Sequence, residues 1–290
     1  MSHKNPLYLS CLLRGCLPYS AISKAKQCHA QIQVQGLLPR ITLQTDLVLV
    51  YARCGFLHHA RQVFDRMFHR NMHSWNIIIA SYVDKSLYYD ALLIFREFNT
   101  SGLRPDHYTL PPLFKASVGN ICLGVTCHGW VVRLGYDGYV IVGSSLVEFY
   151  VRCGAMDEAK WVFSNMPFRD YVVWNVMISG YGRAGFYAHA MNCFSEMLLN
   201  GVKIDYMTVP SVLNACGREG DLMKGKEVHG YVVKSFMFDV DAAIGNALIN
   251  TYGKCGFLQG LRKGFQEYAP CEFGYMDHYD ILLWDTRKGI

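Results

Sequence analysis

Four basic residues stand at matching places in a sequence that repeats itself. Arg53, Arg152, Arg183 and Lys254 each fill the thirteenth place of a unit, just ahead of a small turn. A base held at one register along an array can track a line of phosphates and supply salt-dependent, sequence-blind attraction. Solvated helix ends carry bases for their own reasons as well. The unit 72–106 breaks the rule with Asp84, although Lys85 follows. The 11 cysteines offer less chemistry, because no two form a C-x-x-C pair of the kind that opens a zinc site. Their odd number in a long chain points to a reducing interior rather than a disulfide scaffold. His29, His128 and His229 recur beside an aliphatic stripe, so packed, hydrogen-bonded histidines are expected rather than metal ligands. Cys54, Cys153 and Cys255 each precede a glycine and are expected to be small buried residues. Trp75 and Trp174 fall on apolar stripes, which favours core packing over stacking on a ligand. No metal and no cofactor is implied.

The elements that position these residues follow from the period. Tyr51-Ala-Arg-Cys-Gly55 returns as Tyr150-Val-Arg-Cys-Gly154 and as Tyr252-Gly-Lys-Cys-Gly256, about 100 residues apart each time. Trp75-Asn76 returns as Trp174-Asn175 at the same offset. Ala-x-x-x-Phe-x-x-Met recurs inside the long period and divides it in three. The units are 41–71, 72–106, 107–139, 140–170, 171–205 and 206–241, with 6–40 before them and a degenerate 242–272 after. The pattern fades after Phe257, leaving an extension 1–5 and a divergent tail 273–290 around a single array 6–257. In 171–205, Trp174, Met177, Ile178 and Tyr181 have helical spacing, Ala184-Gly185 interrupts, and Ala190, Cys193, Phe194 and Met197 resume it. Gly201 ends the second helix, and in the sister unit Gly102 is followed by Pro105. Each unit is therefore expected to be a helical hairpin that buries its stripe only against its neighbours, giving an all-α fold of the α-solenoid class.

Composition agrees with that expectation. Apolar types are 51% and charged types 18% of the 290 residues, a globular balance, and length alone would suggest about two domains. No apolar run approaches the ~20 residues that span a bilayer, so an integral membrane protein is not expected. The net charge of +5 permits an anionic partner without requiring one.

The three unit lengths and their order resemble the PLS class of plant pentatricopeptide repeat proteins, over about 6–257. The 35-residue units, with Val-Val-Trp-Asn and Gly201-Val-Lys-Ile-Asp205, resemble the P type. The 31-residue units, with Tyr-x-[RK]-Cys-Gly and Phe-x-x-Met, resemble the S type, and 206–241 resembles the L type. The unit 107–139 is 3 residues shorter than 206–241, which leaves its register open. Tetratricopeptide repeats, the nearest competitor, carry a W-x₂-L-G-x₂-Y signature that is absent here.

The resemblance implies sequence-specific binding of single-stranded RNA, one base per repeat, chosen by the fifth and last residues of each unit. Those pairs are Thr45 with Asn71, Asn76 with Asp106, Ser144 with Asp170, and Asn175 with Asp205. By the family's code a hydroxyl with Asn takes adenine, a hydroxyl with Asp takes guanine, and Asn with Asp takes uracil over cytosine. Pro111 with Tyr139 and Pro210 with Asp241 are poor readers, because proline offers no side-chain donor or acceptor. Asn, Ser, Thr and Asp at helix starts are also what N-caps require, so capping competes with base reading as the reason for these residues. The resemblance further implies a site-recognition factor for organellar RNA editing or processing, in a mitochondrion or chloroplast. No enzymatic activity is expected of it: H-x-E and P-C-x-x-C, which a zinc deaminase needs, are both missing, and Pro270-Cys271 has no second cysteine. A separate cytidine deaminase recruited in trans would do the chemistry. Asp277-His278-Tyr279 has a faint likeness to the extension that follows the repeats in editing factors. The opening MSHKNPLYLSCLLRGC has neither a secretory apolar stretch nor the Arg and Ser richness of a transit peptide. A protein-binding helical scaffold and a truncated copy remain the alternative readings.

Overall fold

The computed structural model describes residues 5–17, 21–234 and 242–257. The expectations placed on Asp241, Cys271, Asp277 to Tyr279 and the tail 273–290 lie outside the described residues, as do all but the last residue of 1–5 and the end of 242–272. The described residues form fifteen α-helices and no strand. The fold is all-α, of the α-solenoid class expected from the period. The chain divides into two compact units, Met1–Phe149 and Tyr150–Ile290.

The first unit holds α1 (Pro6–Arg14), α2 (Ile22–Val34), α3 (Ile41–Arg53), α4 (Leu57–Asp65), α5 (Met72–Asp84), α6 (Tyr88–Thr100), α7 (Leu110–Ala116) and α8 (Ile121–Leu134). Helix α9 (Val140–Arg152) begins in it. Helices pair as hairpins, α3 with α4 and α5 with α6, and the first helix of each hairpin packs on the next: α1 on α3, α3 on α5, α5 on α7. The second unit holds α10 (Met156–Asn165), α11 (Tyr171–Ala184), α12 (Tyr187–Leu199), α13 (Thr208–Glu219), α14 (Leu222–Lys234) and α15 (Ala242–Lys254). There α11 pairs with α12 and α13 with α14, while α11 packs on α13 and α13 on α15. Stacking of neighbours thus buries stripes that no single hairpin could cover.

The repeated Tyr-x-[RK]-Cys-Gly string is a helix stop. Gly55, Gly154 and Gly256 have φ of +86°, +76° and +69°, a left-handed conformation that costs other residues about 1–2 kcal/mol. The amide after each glycine donates back to the tyrosine carbonyl, Phe56 to Tyr51 at 2.8 Å and Ala155 to Tyr150 and Phe257 to Tyr252 at 2.9 Å, closing the helix end. Ser86 holds the equivalent place between α5 and α6 and takes φ of +59°, the one such non-glycine among the described residues. The tyrosine side chains explain the recurring histidines: Tyr51 Oη lies 2.9 Å from His29 Nδ1, and Tyr252 Oη 2.6 Å from His229 Nδ1. Burial pulls the His29 and His128 pKa values below the ordinary range, and Arg66 and His59 add to this at His29. Cys54, Cys153 and Cys255 are corrected from the expectation of burial; each is only half-buried, because the turn that follows opens them to solvent.

A second device sets the rotation of the helices that matter most. Arg70 donates from Nε to the Phe64 carbonyl and from Nη2 to that of Asp65, both at 3.1 Å, with its guanidinium 4.9 Å from the Phe64 ring. Arg169 repeats this on Phe163 and Ser164 at 2.7 Å, 4.8 Å from the Phe163 ring. The arginines thereby satisfy the last carbonyls of α4 and α10. Phe64 and Phe163 meet Trp75 and Trp174 edge-on at 4.8 and 4.7 Å. Both tryptophans are almost wholly buried, so they pack as expected and cannot serve as open stacking surfaces. Anchoring Trp75 and Trp174 in the core leaves the next residues, Asn76 and Asn175, half-exposed near the start of α5 and α11.

Candidate nucleic-acid interface

Two of the four pairs singled out in the sequence are joined, and joined identically. Asn76 Nδ2 donates to both carboxylate oxygens of Asp106 at 3.0 Å. Asn175 Nδ2 does the same to Asp205, again at 3.0 Å. Each pair has a third member that the sequence reading missed. Thr109 Oγ1 lies 2.7 Å from Asn76 Oδ1 and 2.9 Å from Asp106 Oδ1. Thr208 Oγ1 lies 2.6 Å from Asn175 Oδ1 and 2.8 Å from Asp205 Oδ1. Both threonine residues are fully buried. The signal that could have found them is their fixed place, three residues after each aspartate at the head of the following unit.

The arrangement fixes which way each amide points. Its nitrogen faces the carboxylate and its oxygen faces the hydroxyl. A primary amide has two N–H donors and an oxygen with two lone pairs. One N–H straddling the carboxylate leaves the second N–H and one lone pair for a partner. Both aspartates also cap: Asp106 Oδ1 accepts from the amides of Tyr108 and Thr109 at 2.9 and 2.8 Å, and Asp205 Oδ1 from Met207 and Thr208 at 3.0 and 2.9 Å. Burial alone would raise the Asp205 pKa, but bonds from the Thr208 hydroxyl and amide, Asn175 and Met207 outweigh it and hold the carboxyl below its usual range.

The other two pairs are arranged differently. Asn71 Oδ1 accepts from the Ser74 amide at 2.8 Å and caps α5, while the Thr45 hydroxyl is buried without a hydrogen-bond partner. Thr45 and Asn71 are therefore not hydrogen-bonded to each other; Asn71 is the exposed member. Asp170 Oδ1 accepts from the Val173 amide at 3.0 Å and caps α11. The Ser144 hydroxyl, like that of Thr45, is buried and unpartnered. All four last residues thus cap a helix or its lead-in, as their types allow.

Arg53, Arg152, Arg183 and Lys254 are exposed in the last turns of α3, α9, α11 and α15, where a cation also complements the helix dipole. Lys254 Nζ reaches Asn214 Oδ1 at 3.4 Å. Arg218, exposed in the last turn of α13, fills the same thirteenth place and was passed over in the sequence, though the count that found the others points to it. Among the described residues no group of three or more His, Cys, Asp or Glu is placed to hold a metal. No described helix is long and apolar enough to cross a membrane.

Comparison with known proteins gives one answer from three directions. Residues 169–218 match the PPR repeat family, and residues 45–72, 73–103 and 144–170 match the PPR repeat. A mitochondrial pentatricopeptide repeat-containing protein of Arabidopsis thaliana is 34% identical over 96% of this chain and 43% of its own length. A chloroplastic one from the same plant is 33% identical over 89% of this chain and 49% of its own. The chain thus spans less than half the length of these curated relatives. Among solved structures, the pentatricopeptide repeat protein PPR10 from maize shares the fold, with a TM-score of 0.66, 20% identity, and coverage of 92% of this chain and 39% of that one. PPR10 in complex with an 18-nt psaJ RNA element gives a TM-score of 0.76 at 17% identity, covering 93% and 41%.

Proposed function

Because the chain belongs to the pentatricopeptide repeat family, we propose that it binds single-stranded RNA sequence-specifically, one unit to one base. The observation that carries this is the twinned Asn–Asp–Thr arrangement. A helix cap needs only the aspartate. It does not need an asparagine 30 residues away whose amide is clasped by both carboxylate oxygens and a buried hydroxyl. Such a clasp pre-orients a donor beside an acceptor, the complement that a base edge requires. By the family code an Asn with an Asp takes uracil over cytosine, so Asn76 and Asn175 are assigned [U/C]. By the family code the other positions read adenine at Thr45 with Asn71 and guanine at Ser144 with Asp170. Since the Thr45 hydroxyl is enclosed, discrimination at the first position falls to Asn71. The units with Pro111 and Pro210 read no base edge.

The expected target is A-[U/C]-n-G-[U/C]-n, 5′ to 3′, opposite 41–241. Arg53, Arg152, Arg183, Arg218 and Lys254 supply the sequence-blind share of affinity along the phosphates. That PPR10 was solved on an RNA element supports an RNA partner for this chain. The mitochondrial and chloroplastic relatives support an organellar transcript. In this reading the chain marks a site for cytidine-to-uridine editing or processing, in the manner of the PLS class, and a separate deaminase recruited in trans does the chemistry. Selection of bound RNAs from a random pool tests it. Enrichment of that word is expected; no RNA binding at low salt would turn the reading towards a protein-binding scaffold.

A further inference from the structure

Of the two units that read no base edge, 107–139 carries a different surface. Its first, second and last residues are His107, Tyr108 and Tyr139. The His107 ring lies 4.1 Å from Tyr108 and 4.6 Å from Tyr139, at 26° to the latter. Tyr136 meets Tyr139 at 5.6 Å and 89°, bracing its edge. His107 therefore stands between the two tyrosines, stacked on Tyr139 and tilted at 41° against Tyr108, and both tyrosines reach solvent: Tyr108 is 61% and Tyr139 46% exposed.

Its position ties this cluster to the register of the base-reading pairs. The Tyr108 amide is capped by Asp106, the carboxylate that clasps Asn76. At the far end, Tyr139 occupies the last place of its unit, as Asn71, Asp106, Asp170 and Asp205 do in theirs. Its carbonyl accepts from the Gly143 amide at 2.9 Å, so it stands at the N-cap of α9. A phenol ring there offers no short-chain oxygen to cap the helix, and capping does not explain it. Large aromatic rings exposed in this way, packed against each other and braced, lose little rotamer freedom when a planar partner arrives.

We propose that unit 107–139 holds its nucleotide by stacking: a base of any identity lies on the exposed rings of the Tyr108–His107–Tyr139 cluster. Every base has a π-face, so the contact is indifferent to sequence, and it bridges the gap in readout that Pro111 leaves. The inference rests on the RNA-binding reading above and adds an occupant for the position that the code leaves blank.

The test uses the whole chain and RNAs carrying the expected word, with the nucleotide opposite 107–139 varied through all four bases and an abasic residue. Wild type should bind the four bases within about twofold of one another and lose about tenfold on the abasic RNA, as stacking of ordinary strength implies. The double variant Tyr108→Ala with Tyr139→Ala should lose that abasic penalty, with unchanged helical circular dichroism. Tyr108→Phe with Tyr139→Phe should keep it, since the π-faces remain. Equal wild-type affinity for the abasic RNA would overturn the stacking surface alone. So would a strong preference for one base at that position. Failure of every RNA to bind would overturn the RNA-binding reading, and the stacking surface with it.

Discussion

At the residue scale, the chemistry lies in small polar groups whose neighbours decide what they present. Asn76 and Asn175 do not wait as free amides; a carboxylate and a threonine hydroxyl hold each one in a single orientation. Removing one hydroxyl should loosen that hold. Thr208→Val leaves Asn175 Oδ1 and Asp205 Oδ1 without the hydroxyl, so the Asp205 pKa should rise from its lowered value, and a carboxyl-carbon NMR titration reads this directly. The same variant should blur pyrimidine preference at that position by several-fold in competition binding, and Thr208→Ser should restore both. A pKa that stays low in Thr208→Val would remove Thr208 from the clasp.

At the element scale, repetition made most of the fold legible. Helical apolar spacing, broken by small residues and resumed, marks each hairpin, and the Tyr-x-[RK]-Cys-Gly string ends first helices because glycine accepts a left-handed backbone. Less legible were contacts that join one unit to the next. Thr109 bonds to Asn76 of the preceding unit, 33 positions back, and no local pattern expresses such a link, whereas the Asn76–Asp106 pair lies within one unit and was implied by the resemblance. The competition between capping and reading was visible in the residue types, but the structure shows that one aspartate can cap and clasp together. The half-buried cysteines were misjudged because composition favours burial while the turn beside them does not. Helix α7 spans only Leu110–Ala116, having prolines at its start and Ser117-Val118-Gly119 at its end. The turn between α5 and α6 offers a direct test of the backbone argument. Ser86→Gly should relieve a left-handed non-glycine residue and stabilise the protein by up to about 1 kcal/mol, less whatever glycine gives back in unfolded-state entropy. Thermal unfolding would show it as a small rise in Tm; a fall would mean that the Ser86 side chain has a role of its own.

At the scale of the whole molecule, charge and protonation set the conditions for binding. If the thirteenth-place bases track phosphates, each should contribute to the salt dependence of affinity, about 0.7 in the slope of log K against log salt for single strands. Arg183→Gln and Arg218→Gln should each flatten that slope by roughly this amount without altering base choice; an unchanged slope would return them to ordinary helix ends. Stability should fall with pH in two stages. His29 and His128 have lowered pKa values when folded, so the unfolded chain takes up protons first, and stability declines as pH drops below about 6.5. Asp205 contributes stability above its unfolded pKa of about 3.9, lost as pH falls further through its lowered folded value. Denaturant melts across pH 8 to 3 would resolve both stages. Units that each read one base should change preference one position at a time. Affinities of wild type and Asn71→Asp are compared on two RNAs that differ only in adenine or guanine at the first position. Wild type should favour adenine, and the variant should shift towards guanine, with preferences at Asn76 and Asn175 untouched. Preference that stays with adenine, or that changes at every position at once, would contradict the account.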